Sequence, residues 1–68
     1  MPTVYVEILE GRSDEKKKKM IKDMSIACAE ALGCPLSAVK MIVSEMAPKH
    51  YASGGVTWDD QSEKPYDI

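Results

Sequence analysis

Apolar and polar positions come close to alternating along residues 3–9, Thr-Val-Tyr-Val-Glu-Ile-Leu. Val4, Val6 and Ile8 fall on one face and Tyr5, Glu7 and Leu9 on the other, and the β-branched content suits a pleated strand. Apolar groups on both faces fit a strand covered on two sides after assembly. Gly11 ends the strand. Ser13 ahead of Asp14 and Glu15 has the form of a helix N-cap followed by acids, which the amide dipoles of a first turn favour. From Asp14 to Leu32 the period lengthens. Met20, Ile21, Met24, Ala27, Cys28, Ala31 and Leu32 recur at the spacing of one helical face. Gly33 suits a left-handed cap, and Pro35 blocks continuation. Residues 39–46, Val-Lys-Met-Ile-Val-Ser-Glu-Met, return to strand.

A strand, a long helix and a second strand predict an α/β fold: one right-handed β-α-β unit with parallel strands. Beyond Ala47-Pro48, a polar stretch leads to Ser53-Gly54-Gly55, the turn of a short C-terminal hairpin. The segment from Asp59 to Ile68 is mostly polar and contains Pro65; it is expected to be loose or to pack on a neighbouring subunit. With no repeat and no linker, residues 1–68 read as a single domain. Two parallel strands and one helix leave a sheet face and two edges open. A chain this short also buries only about 60% of its unfolded surface. Further copies are the expected source of the missing core, through joined sheet edges and then sheet faces buried between dimers.

Hydrophobic residues make up 44% of the chain, too many for a disordered one. Nine basic against eleven acidic residues give a net charge of −2, which argues against a nucleic-acid partner but leaves room for a small anion held by local cations. Lys16 to Lys19 spread around the helix and read as a solvated helix start; Lys17, nearest the apolar stripe, is expected to lay its stem along it. Two cysteines and one histidine make neither a disulfide scaffold nor a four-ligand zinc site. Cys28 reads as a core thiol, Cys34 as a more exposed one, and His50 as a satisfied or solvent-facing loop residue rather than a catalytic one. Met20, Met24, Met41 and Met46 read as packing. No apolar run approaches the ~20 residues of a membrane span. No secretion signal is visible, so a cytoplasmic protein with reduced thiols is expected.

Pro2 carries the chemistry of most interest. Removal of Met1, common before a small second residue, would leave a free secondary amine. An ordinary α-amino group titrates near ~7.7–8.0. An apolar pocket and nearby cations both disfavour the protonated form and bring it toward neutrality. A base in that range suits proton abstraction beside a carbonyl.

Pro2, the run Ile8-Leu9-Glu10-Gly11-Arg12-Ser13-Asp14-Glu15, Pro35-Leu36-Ser37, Val39-Lys40, Glu45-Met46-Ala47, His50 and Gly54-Gly55 together resemble the 4-oxalocrotonate tautomerase family. The resemblance runs without a gap from Pro2 to about Gly55. It implies a β-α-β subunit assembled as a homo-oligomer, with a hexamer expected. The implied reaction is keto–enol tautomerisation of small 2-hydroxy- or 2-oxo-dienoates, with no metal or organic cofactor. By resemblance, Pro2 shuttles a proton from the 2-hydroxyl to a distal carbon, and Arg12 binds the distal carboxylate, for which a guanidinium fork is well shaped.

Two positions depart from the best-known members. Lys40 stands where many carry a second arginine, and it offers a point charge without bidentate geometry. Tyr51 replaces a phenylalanine of the apolar wall around the proline. The implied catalytic set is Pro2, Arg12 and Lys40, with Arg12, Lys40, Tyr51 and Leu9 contacting the substrate. Relatives that dehalogenate 3-chloroacrylates use an acid where this chain has Ser53 and an extra arginine where it has Leu9, which disfavours that chemistry. The rival reading is a non-catalytic oligomeric module that binds a small molecule and keeps the fold.

Overall fold

The computed structural model describes residues 1–62. The order is β1 (Thr3–Leu9), α1 (Asp14–Leu32), β2 (Lys40–Met46), β3 (Ala52–Ser53) and β4 (Val56–Thr57). Short 3-10 helices lie at Leu36–Ala38, Pro48–His50 and Trp58–Asp60. β1 and β2 pair in parallel from Thr3↔Lys40 to Leu9↔Met46, and β3 and β4 form an antiparallel hairpin. The β-α-β unit and the hairpin are as the sequence predicts. The second strand begins at Lys40, because Val39 still donates its N–H to Leu36 in the preceding 3-10 helix. Of the polar tail from Asp59, residues 63–68 lie outside the described residues.

Local chemistry sets the ends of α1. The Ser13 hydroxyl accepts from the Lys16 N–H at 3.3 Å, the capping bond whose loss costs about 1 kcal/mol. Gly33 takes φ 68° and ψ 36°, and the Cys34 N–H returns to the Ala29 carbonyl at 3.1 Å, the Schellman pattern that satisfies a terminal carbonyl. Gly54 and Gly55, at φ 60° and 84°, supply the two positive φ values of a tight hairpin turn.

Strand alternation sorts the sheet faces. Val4, Val6, Ile8, Met41 and Val43 are half-buried, whereas Tyr5 and Ile42, partners in the ladder, are 62% and 48% exposed on the opposite face. The helix stripe is turned from the predicted one. Ala29 is the buried residue of α1, Ala27 and Ala31 face solvent, and Leu32 is 63% exposed. Alanine is small enough to sit on either side of an apolar stripe, so hydrophobic spacing alone misplaced the stripe's edge. Cys34 is half-buried like Cys28, not the more exposed thiol expected, because the Schellman turn folds it back toward Ala29.

Lys17 does lie along the helix–sheet junction. Its ammonium donates to Glu45 Oε1 at 2.9 Å and stands 3.3 Å from Asp14 Oδ1. The Glu45 hydrogen bond, then the Asp14 one, raises the Lys17 pKa. Among the described residues only Leu9, Ala29 and Trp58 form the buried apolar core. No helix among them is long and apolar enough to cross a membrane.

Candidate active site

Pro2 stands just before β1, where a residue without an N–H costs the ladder nothing. Its carbonyl accepts from the Lys40 N–H at 2.9 Å, which carries the parallel pairing one step past Thr3↔Lys40. Pro2 is half-buried, while Met1 is 89% exposed. The Lys40 side chain is exposed, with its ammonium 3.4 Å from the Ser37 carbonyl. One end of the sheet thus holds both the proline and a cation.

Arg12 sits at the other end. The Glu10 N–H donates to the Met46 carbonyl at 2.9 Å, extending the pairing past Leu9↔Met46, and Gly11 then turns the chain at φ 129°. This returns the Arg12 guanidinium to the strand end, where Nη1 donates to the Leu9 carbonyl at 3.4 Å. Arg12 is half-buried and Leu9 is buried. The strand of seven residues between these ends spans roughly 20 Å at ~3.3 Å per residue, beyond the reach of one small substrate. A single chain therefore joins Pro2 to Lys40 and Leu9 to Arg12, but does not bring the two pairs together.

Tyr51 follows β2 through the Pro48–His50 turn and donates its N–H to the Pro48 carbonyl at 3.4 Å. The residue is 41% exposed, and its ring lies 6.2 Å from that of Trp58, tilted by 56°. That is the range of a favourable aromatic pair, worth about 0.5–1.5 kcal/mol beyond area burial. An open groove of about 210 Å³ lies elsewhere, lined by Asp14, Lys17, Lys18, Ile21, Val43 and Glu45. Within it Lys17 pairs with Asp14 and Glu45, and none of Pro2, Arg12, Lys40 and Tyr51 lines it.

A family model described as tautomerase enzyme matches residues 2–61, from Pro2 through the last 3-10 helix. The chain belongs to the tautomerase family. It falls in the 4-oxalocrotonate tautomerase branch. It is 46% identical over 55 residues to a 2-hydroxymuconate tautomerase of Pseudomonas putida, covering 81% of this chain and 87% of the relative. A heterohexamer 4-oxalocrotonate tautomerase from Chloroflexus aurantiacus superposes with a TM-score of 0.85 at 35% identity, covering 88% of this chain and 97% of the other. TomN, a 4-oxalocrotonate tautomerase homologue in the tomaymycin biosynthetic pathway, superposes with a TM-score of 0.87 at 32% identity, over 96% and 100% of the two chains.

Kinship with 2-hydroxymuconate tautomerases at 44–46% identity makes the chain a tautomerase enzyme. Sequence reasoning passed over one residue beside its candidate site. Trp58, 3% exposed, is the deepest side chain described and backs Tyr51. Its only signal was a single tryptophan in an otherwise polar segment.

Proposed function

We propose that this tautomerase interconverts the enol and keto forms of small 2-hydroxy- or 2-oxo-dienoate carboxylates, with Pro2 as the proton carrier. Removal of the exposed Met1 frees the Pro2 nitrogen. That amine takes the proton of the substrate 2-hydroxyl, the oxygen electrons form the C2 carbonyl, and the shifted diene electrons reach a distal carbon. The protonated proline then returns the same proton to that carbon. No atom is gained or lost, and no oxidant or cofactor is needed.

Arg12 grips the distal carboxylate with its planar fork and draws electron density toward it. Lys40 supplies a single positive charge near the proline end. Tyr51 and Leu9 form apolar wall, which keeps water away and holds the amine nearer neutrality. The observation that carries this reading is the separation of Pro2 from Arg12 by roughly 20 Å within one chain. A working site needs the proline end of one subunit beside the arginine end of another, so catalysis requires an oligomer, here a homohexamer. The bare sheet face with Tyr5 and Ile42, and the two open edges, support such assembly. The free cysteines Cys28 and Cys34 suit the reducing cytoplasm.

The test is ketonisation of 2-hydroxymuconate by wild type and Pro2→Ala, with intact mass recorded for both. Met1 should be absent from both, and kcat should fall by about 10²–10⁴ with KM little changed. Equal turnover by the two would remove Pro2 from the mechanism.

A further inference from the structure

The hairpin that follows Tyr51 is built to bring one residue back against it. β3 and β4 pair Ser53↔Val56 and Ala52↔Thr57, so the next opposed pair outward is Tyr51 and Trp58. The Trp58 N–H donates to the Tyr51 carbonyl at 2.7 Å, continuing the ladder by one bond. The Tyr51 N–H is held in turn by Pro48, and the Pro48–His50 and Trp58–Asp60 turns pack together. Backbone freedom at position 51 is therefore removed on both sides. Above this frame the two rings meet at 6.2 Å and 56°, Trp58 almost wholly buried and Tyr51 partly exposed.

We infer that Trp58 is a positioning residue of the site: it fixes the Tyr51 ring in the orientation that presents it to substrate. This rests on the reading that Tyr51 lines the pocket, and it goes beyond that reading by naming what holds the wall in place. A buried indole is rigid and broad, so it limits Tyr51 rotamers before substrate arrives. Without it the phenol ring gains orientations that leave the pocket wetter or partly filled. The loss falls chiefly on binding, because neither ring carries the transferred proton or pairs with the carboxylate. The hairpin turn also enters the mechanism, since Gly54 and Gly55 set the register that opposes residues 51 and 58.

The experiment is a double-mutant cycle with 2-hydroxymuconate as the probe, using wild type, Tyr51→Leu, Trp58→Leu, Trp58→Phe and the Tyr51→Leu/Trp58→Leu pair. Trp58→Leu should raise KM by about three- to tenfold with kcat within about twofold, and Trp58→Phe should restore most of the loss. The double variant should be no worse than Tyr51→Leu alone, because Trp58 acts through that ring. An unchanged KM in Tyr51→Leu would remove Tyr51 from the pocket and overturn the underlying reading. A raised KM in Tyr51→Leu with an unchanged or additive effect of Trp58→Leu would overturn the positioning role alone. If Trp58→Leu does not fold, the single tryptophan of the wild type carries the test. Its emission should change as the probe saturates wild type and stay constant in Tyr51→Leu. Emission in wild type that ignores saturating probe would overturn the inference.

Discussion

Two inactive variants of this tautomerase should repair one another. On the proposed mechanism, Pro2→Ala removes the proton carrier and leaves Arg12 intact, whereas Arg12→Ala removes the carboxylate fork and leaves Pro2 intact. β1 keeps these residues at its opposite ends, roughly 20 Å apart, so under the proposed mechanism each site would draw them from different subunits. In an equimolar random assembly, half the prolines and half the arginines are intact. Roughly one quarter of sites then hold both, as expected for a symmetric oligomer with composite sites. The parent assemblies hold none. Because general acid–base catalysis contributes about 10²–10⁴, a quarter of wild-type turnover stands far above the background of either parent. The assay is ketonisation of 2-hydroxymuconate by assemblies refolded together and isolated through two different affinity tags. Activity near one quarter of wild type supports sites shared between subunits. Mixed assemblies no more active than the average of their parents would refute it and require Pro2 and Arg12 to act from one chain.

Lys40→Arg should lower KM for a dicarboxylate by about three- to tenfold, through the second hydrogen bond a guanidinium can donate, and steady-state kinetics would reveal the opposite trend. Lys17→Met should lower the thermal midpoint at neutral pH by freeing α1 from Glu45 on β2. The Lys17 pKa is raised above 10.5 in the folded chain, so its contribution is complete below that pH and lost as pH climbs through the folded value. The midpoints of wild type and Lys17→Met should therefore converge above pH 10.5; a constant gap would show that the Lys17 stem, not its charge, joins helix to sheet.

Much of the backbone was legible because local chemistry dictates it. Ser13 before Asp14 and Glu15 opens a helix, and Gly33 before Pro35 closes one, whatever lies around them. Partial period-2 patterning marked the first strand, and the run from Val39 to Met46 the second. The rest depends on contacts between distant residues. Trp58 lies in a polar segment with no period to betray burial, and it becomes core only because the Gly54–Gly55 turn folds it onto Tyr51. Met24 and Leu32 carried the predicted helix stripe, yet they stay largely exposed in one chain and Ala29 is buried instead. Apolar spacing reports all the surfaces a residue will meet, including those of other subunits, and does not separate them. Pro2, Arg12, Lys40, Tyr51 and Leu9 could be picked out from residue chemistry and family likeness. The separation of Pro2 from Arg12 was legible too, since they flank the predicted strand 3–9; the register adds that Lys40 lies at the proline end.

The proline relay stands or falls on the Pro2 nitrogen, which nuclear magnetic resonance can titrate in the natively processed, 15N-proline-labelled oligomer. A free secondary amine in an apolar, cationic site should titrate below the ordinary α-amino range of about 7.7–8.0, and turnover should rise with the same transition. An amide signal from retained Met1, or an amine still protonated above about pH 9, would contradict a proline base at neutral pH.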